Sequence, residues 1–120
     1  MGNMSITPAA LAQWRQRKDA PLLFDVRRRP VFERSRSMIP GARWGDPFMI
    51  GVWAPQPRPE QDIVVYCVAG HEVSRGVRDL LHSLGHRAWY LTGGLEAWIE
   101  RGGDLSPGPV VDQQPPLQAA

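Results

Sequence analysis

The amino-acid sequence predicts an α/β fold in which a parallel sheet lies between two layers of helices. Short apolar runs at residues 22–24, 63–66 and 88–91 have the length and the aliphatic or aromatic content of buried strands. Helical patterns separate these runs, and strands that alternate with helices are typical of a parallel sheet covered on both faces. At 120 residues the chain has room for one such domain.

Local signals place each element. Thr7 followed by Pro8 is typical of a helix N-cap with proline at the first helical position. An apolar stripe from Val73 to Leu84 predicts the longest helix, and Gly85 follows it where a helix end favours glycine. In the first half, the expected elements are a helix from Pro8 to about Lys18, a strand whose apolar run is 22–24 and which ends within 25–27, a short helix from Pro30 to Glu33, and a strand near 43–44. A short helix and an irregular connection are expected over 45–60. They are followed by a strand at 63–66, a helix to about Leu84, a strand at 88–91 and a helix over 95–101.

The stretch between the central strand and the longest helix carries the main functional signal. Cys67 is the only cysteine of the chain and directly follows the strand at 63–66. The loop after it consists of Val68, Ala69, Gly70, His71, Glu72 and Val73. Loop N–H groups and a helix N-terminus favour an anion there, and the thiolate is the nucleophilic form of cysteine. The alternative is that Cys67 is a small apolar residue that ends a strand.

Two charged residues are expected close to this loop. Asp25 and Arg27 follow the strand at 22–24, and ligands of parallel sheets bind beyond the carboxyl ends of the strands. Steering of an anion is one role for Arg27, but a hydrogen bond that ties the strand end to the loop is the favoured interpretation. Asp25 is favoured as a structural acceptor of N–H groups rather than as an acid or base.

Composition argues against several classes of function. The formal net charge is +2, and the arginines lack the aromatic interleaving or recognition motif of a nucleic-acid-binding domain. No apolar run is long enough to span a membrane, and the first residues lack the order of a signal peptide. A cytoplasmic protein is therefore expected. A single cysteine allows no internal disulfide, so any group that Cys67 acquires must be removed by an external partner.

Four short motifs occur in order along the chain. They lie at residues 25–27 (DVR), 39–42 (IPGA), 67–73 (CVAGHEV) and 91–98 (LTGGLEAW). At this spacing they resemble a single rhodanese domain over about residues 5–104. The resemblance implies a rhodanese-like three-layer sandwich around a five-stranded parallel sheet. Residues 105–120 are rich in proline and glutamine, and are expected to form an extended or disordered tail.

The resemblance also implies a sulfurtransferase of the thiosulfate:cyanide class, without a cofactor. Cys67 would take sulfane sulfur from thiosulfate or from a small-molecule or protein persulfide, and pass it to a thiol or cyanide acceptor. The loop from Val68 to Val73 would bind the substrate, supported by Asp25 and Arg27. Glu72 stands five places after the cysteine, where many bacterial members of the family carry arginine, so thiosulfate is expected to be a poor donor.

The sequence is less consistent with three further interpretations. His71 beside Cys67 supplies too few ligands for a closed zinc site, so no metal is expected. A cysteine phosphatase or arsenate reductase needs an arginine six places after the cysteine, where this sequence has Val73. A non-catalytic rhodanese-like module that binds a partner protein usually lacks the cysteine that this chain keeps.

Overall fold

Seven strands and five helices follow one another along residues 4–108, the part of the chain that the computed structural model describes. The strands are β1 (Ser5–Ile6), β2 (Leu22–Asp25), β3 (Ser37–Met38), β4 (Arg43–Trp44), β5 (Asp62–Tyr66), β6 (Arg87–Leu91) and β7 (Ser106–Pro107). The helices are α1 (Pro8–Trp14), α2 (Arg29–Glu33), α3 (Ile50–Trp53), α4 (Glu72–Ser83) and α5 (Gly94–Glu100). Within residues 4–108, no helix has both the length and the apolar character needed to cross a membrane.

Five of the strands form one parallel sheet in the order β1-β6-β5-β2-β4. β5 lies in the middle, with β2 on one side and β6 on the other. Its residues from Ile63 to Tyr66 are fully buried because both faces of the sheet are covered, and this accounts for the unbroken apolar run. The predicted α/β fold with a five-stranded parallel sheet is confirmed, and the strand that leads to Cys67 is the central one.

The helices bury two apolar clusters, one on each face of the sheet. Val64 and Tyr66 belong to one cluster, together with Leu11 and Trp98. Ile63 and Val65 belong to the other, together with Phe24, Val77 and Leu81. Successive residues of β5 thus point to opposite clusters, as the two-residue period of a strand requires. Full burial of one such side chain contributes about 1.5–3 kcal/mol.

Helix α1 begins where the sequence predicts and ends earlier. The hydroxyl oxygen of Thr7 accepts the N–H of Ala10 at 3.2 Å and caps the helix. The regular helix ends at Trp14 rather than near Lys18. Beyond it, the N–H of Arg17 bonds to the carbonyl of Trp14, three residues back, which is the tighter pattern common at helix ends.

Three strands of two residues each have no counterpart in the sequence prediction. β1 pairs with β6, and β3 pairs with β7 in a small separate antiparallel sheet. Two residues are too few to show a period, so only their tertiary partners define them as strands. β7 lies at the start of the expected tail, where Ser106 and Pro107 are extended and paired with β3. The rest of that tail, residues 109–120, lies outside the described residues, and the domain bounds of 5–104 remain a prediction.

Candidate active site

Cys67 lies just beyond the carboxyl end of β5 and lines a cavity of about 470 Å³. Only 6% of its surface is exposed. The cavity is lined by Arg27, Arg28, Val31, Cys67, Val68, Ala69, His71, Glu72 and Val73. Five of the six predicted loop residues are therefore brought together with the cysteine, and the sixth, Gly70, is buried in the curve of the loop.

The N-terminus of α5 fixes the orientation of the cysteine loop. The N–H of Leu95 donates to the carbonyl of Cys67 at 2.9 Å, and the N–H of Glu96 donates to the carbonyl of Val68 at 3.0 Å. Gly94 permits this approach, since an added Cβ there would lie 2.5 Å from the Cys67 oxygen. Gly94 therefore lets the N–H groups at the start of α5 hold the first two carbonyls of the loop.

The N–H groups of the loop are left without acceptors. Among residues 4–108, no backbone N–H from Val68 to Ser74 donates a hydrogen bond to another backbone group. Gly70, with φ of 75°, lets the chain curl between β5 and α4. A curled run of free N–H groups at a helix N-terminus favours an anion. The loop around Cys67 therefore offers donors to a thiolate or to an anionic ligand.

Ser74 contacts the sulfur and was missed by sequence reasoning. The thiol of Cys67 donates to the fully buried hydroxyl oxygen of Ser74 at 3.2 Å. When the thiol loses its proton, the hydroxyl can rotate and donate to the thiolate instead. A signal was present in the sequence, because Ser74 is spaced three and seven residues from Val77 and Leu81. That spacing places a small polar side chain on the buried face of α4.

Asp25 and Arg27 form a buried ion pair next to the cavity. Nε of Arg27 donates to Oδ1 of Asp25 at 2.9 Å, and Nη2 donates to Oδ2. The same guanidinium donates to the hydroxyl of Ser35 at 2.7 Å and to the carbonyl of Ser37 at 3.2 Å. Arg27 therefore lines the cavity with a charge that Asp25 already compensates. Its side chain ties the end of β2 to Ser35 and to β3, rather than to the cysteine loop that the sequence led us to expect.

Tyr66 extends this buried network to the residue next to Cys67. Its hydroxyl donates to Oδ2 of Asp25 at 3.2 Å and accepts the N–H of Ile39 at 3.1 Å. Burial raises the pKa of Tyr66 above its ordinary value, and the nearby Asp25 carboxylate raises it further. Tyr66 therefore remains a neutral phenol that joins the ends of β2 and β5.

The exposed side of the cavity carries one charge of each sign. Arg28 precedes α2, Glu72 starts α4, and both side chains are exposed. Neither forms an ion pair within residues 4–108. Arg28 and Val31 were also missed by sequence reasoning, because only the tertiary packing brings the start of α2 to the cysteine loop.

A larger cavity of about 630 Å³ shares no lining residue with the cavity at Cys67. It is lined by Leu11, Arg15, Ala20, Pro21, Leu22, Leu23, Phe24, Pro40, Gly41, Arg43, Trp44, Trp53 and Pro55. No nucleophilic side chain lines it, so the smaller cavity is the candidate active site. Within residues 4–108, no three His, Cys, Asp or Glu side chains are grouped in a way that could hold a metal ion.

Comparison with known protein families agrees with the observed fold. The family model of the rhodanese-like domain matches residues 7–101. This chain belongs to the rhodanese-like domain family. The resemblance carried by the four sequence motifs is thereby confirmed. No curated protein sequence matches the chain.

Solved structures of rhodanese-like proteins share its fold. A thiosulfate sulfurtransferase from Pseudomonas aeruginosa superposes with a TM-score of 0.71 at 20% identity, over 90% of this chain. The chain spans only 20% of that protein. A rhodanese-like domain protein from Staphylococcus aureus has a TM-score of 0.70 at 23% identity, over 86% of this chain and 96% of that one.

A third similar structure has a different suggested activity. It is a protein of unknown function from Rhodopseudomonas palustris CGA009, described as a possible tyrosine phosphatase. Its TM-score is 0.71 at 23% identity, over 87% of this chain and 85% of that one. At such identities these three likenesses show the shared fold, and the reaction must be inferred from the site itself.

Proposed function

We propose that this chain is a sulfurtransferase in which Cys67 carries sulfane sulfur from a donor to an acceptor. The donor is thiosulfate or a persulfide, and the acceptor is a thiol or cyanide. One observation supports this proposal most. The buried sulfur of Cys67 contacts Ser74 and lies at the start of a loop whose N–H groups, among the described residues, have no backbone acceptor.

The reaction consists of two displacements at sulfur. In the first, the Cys67 thiolate attacks the outer sulfur of the donor, and the donor's S–S bond breaks. Its electron pair leaves on sulfite or on a thiolate, and Cys67 becomes a persulfide. In the second, the acceptor attacks the terminal sulfur of the persulfide, and the electron pair returns to Sγ. Sulfane sulfur is transferred from donor to acceptor without a net oxidant or reductant.

The free N–H groups of the loop favour the persulfide because it is an anion. Its charge resides mainly on the terminal sulfur, next to Sγ. A hydrogen bond to a charged group contributes about 1.5–3 kcal/mol. Two such bonds from the loop would favour the anion by about a hundredfold or more. The arrangement of donors around Cys67 therefore supports the proposed covalent sulfur intermediate.

Glu72 bears on the choice of donor. Its carboxylate lines the cavity and repels a dianion such as thiosulfate. The side chain is exposed, so solvent reduces this repulsion to at most about 1 kcal/mol, or about fivefold in binding. We therefore propose that persulfides are better donors than thiosulfate by roughly this factor.

The test is to measure the mass of the protein after incubation with a donor. Wild type and Cys67→Ser are incubated with thiosulfate, a low-molecular-weight persulfide or 3-mercaptopyruvate, desalted and measured by intact mass spectrometry. We expect wild type to gain one sulfur atom and the variant to gain none, with unchanged circular dichroism because serine is nearly isosteric. Since Cys67 is the only thiol of the chain, a sulfur gain by the variant would contradict the mechanism. No gain by wild type with any donor would instead support a non-catalytic binding module.

The geometry disfavours the phosphatase alternative. A cysteine phosphatase closes the arginine six places after its cysteine on the oxyanion, and this chain has Val73 at that position. The two arginines in the first turns of α4, Arg75 and Arg78, lie over the ring of Tyr90, with guanidinium carbons 5.2 and 5.0 Å from its centroid. Neither lines the Cys67 cavity. Hydrolysis of p-nitrophenyl phosphate by wild type, lost in Cys67→Ser, would overturn this conclusion.

A further inference from the structure

Two side chains of opposite charge line the Cys67 cavity and remain available to a ligand. Arg28 and Glu72 are exposed, and neither is engaged in an ion pair within the described part of the chain. The other arginine of the cavity, Arg27, is compensated by Asp25. The cavity therefore presents one available cation and one available anion, and their charges sum to zero.

The remaining wall of the cavity is largely apolar. Val31, Val68, Ala69 and Val73 line it beside Cys67, and the exposed imidazole of His71 completes the lining. The volume of about 470 Å³ is that of a small-molecule site. A matching ligand has a sulfur at one end, a short apolar body, and one charge of each sign.

We propose that Arg28 and Glu72 bind a zwitterionic aminothiol, of which free cysteine is the simplest. Its carboxylate contacts Arg28, its ammonium contacts Glu72, and its sulfur exchanges with Cys67. This inference rests on the proposed sulfur transfer, because it names the small-molecule class that exchanges sulfur at that site. A zwitterion matches both available charges, whereas thiosulfate matches only Arg28 and is repelled by Glu72.

The exchange step is balanced without any further reactant. The thiolate of the aminothiol attacks the terminal sulfur of the Cys67 persulfide. A new S–S bond forms in the aminothiol, and the bond between Sγ and the terminal sulfur breaks. The electron pair remains on Sγ, so Cys67 returns to its thiolate and the aminothiol leaves as a hydropersulfide. The reverse reaction loads Cys67 from the same hydropersulfide at the same two contacts.

Four thiols that differ only in their charged groups test the two contacts separately. Cysteine carries both groups, 3-mercaptopropionate only the carboxylate, cysteamine only the ammonium, and 2-mercaptoethanol neither. The full chain is loaded with sodium tetrasulfide, desalted and mixed with each thiol at low ionic strength, where screening is weakest. Loss of the extra sulfur is followed by mass spectrometry. Each rate is divided by the rate of 2-mercaptoethanol with the same variant, so changes in the reactivity of Cys67 itself cancel.

Each variant should lower the relative rate only of those thiols that carry the charged group which the replaced residue contacts. In Arg28→Gln we expect the relative rates of cysteine and 3-mercaptopropionate to fall by about threefold to fivefold, as for an exposed ion pair. In Glu72→Gln we expect the same fall for cysteine and cysteamine. Arg34→Gln and Glu100→Gln are matched controls, because both residues are exposed and neither lines the Cys67 cavity.

The outcomes separate this inference from the function on which it rests. If wild type takes up sulfur but its relative rates equal those of Arg28→Gln and Glu72→Gln, the charge contacts are refuted and sulfur transfer stands. If the two control variants lower the relative rates as much, the effect reflects the overall charge of the protein and the proposal is also refuted. If wild type takes up no sulfur from any donor, the proposed function fails first.

Discussion

Replacing Gly94 with alanine tests whether the turn before α5 positions the cysteine loop. The added Cβ would lie 2.5 Å from the carbonyl oxygen of Cys67, 2.6 Å from that of Val68 and 2.7 Å from the nitrogen of Gly70. All three are backbone atoms of the loop, so the clash can be relieved only if the loop and the start of α5 move apart. Gly94 also has φ of 60°, a conformation that costs alanine about 1–2 kcal/mol.

The expected loss of stability in Gly94→Ala follows from the contacts that are lost. A displaced loop lengthens the hydrogen bonds from Leu95 to the Cys67 carbonyl and from Glu96 to the Val68 carbonyl, each contributing about 1 kcal/mol. Together with the backbone strain, the unfolding free energy of Gly94→Ala should fall by about 3–4 kcal/mol. The loop N–H groups move with the carbonyls, so we expect sulfur loading of Cys67 to slow by about tenfold or more.

Gly102→Ala is the matched control for backbone strain. Gly102 follows α5 with φ of 80°, and an added Cβ there meets no atom within 4 Å. It should lose only about 1–2 kcal/mol and keep the wild-type loading rate. Urea unfolding measures the stabilities, and mass spectrometry of sulfur uptake measures the rates. Equal losses of stability in the two variants, with a wild-type loading rate in Gly94→Ala, would refute the role assigned to the turn.

Three further substitutions test other parts of the structure. Ser74→Ala removes the hydroxyl next to Sγ of Cys67, so sulfur loading should slow by about tenfold in the mass assay, and an unchanged rate would show that the contact is incidental. Tyr66→Phe removes the hydrogen bond to Asp25 and should lower the unfolding free energy by about 1–3 kcal/mol in urea. Because the pKa of Tyr66 is raised in the folded state, the unfolding free energy of wild type should fall as pH rises above about 10, where the Tyr66 phenol ionises in the unfolded chain. The same decline in Tyr66→Phe would contradict this explanation. Gly76 lies inside α4, and a Cβ added there meets no atom within 4 Å. Gly76→Ala should therefore raise the unfolding free energy by about 0.5–1 kcal/mol, and a lower unfolding free energy would show that the added Cβ is strained.

The centre of the fold could be predicted because its signals are local. β5 is apolar at every position from Ile63 to Tyr66 because both of its faces are covered. Of the apolar stripe predicted for α4, Val77 and Leu81 are buried, whereas Leu80 and the following Leu84 are exposed. Cys67 falls between these two elements, so its place at a strand end and next to a helix start could be read directly. The same reasoning located five of the cavity-lining loop residues.

The parts that sequence reasoning missed depend on contacts between distant segments. β1 is defined only by its pairing with β6, and β3 only by its pairing with β7. Arg28 reaches the cavity because the start of α2 packs beside the cysteine loop, across nearly forty residues of sequence. Ser74 is closer to Cys67 in sequence, but a single serine in a helix does not reveal whether it faces the sulfur. Local pattern therefore identifies the candidate nucleophile, whereas tertiary packing determines which side chains surround it.

The charged residues around Cys67 divide into two groups with separate roles. Asp25 and Arg27 are buried and bonded to each other, so removal of one would leave the other charge uncompensated in the interior. Arg28 and Glu72 are exposed and unpaired in residues 4–108, so either can be replaced at little cost to folding. The N–H groups of the loop belong to the backbone, whose carbonyls α5 holds in place. The hydrogen bonds to the sulfur and to the loop carbonyls therefore do not involve the two exposed side chains, and we expect a change in the preferred donor or acceptor to require replacement only at the rim of the cavity.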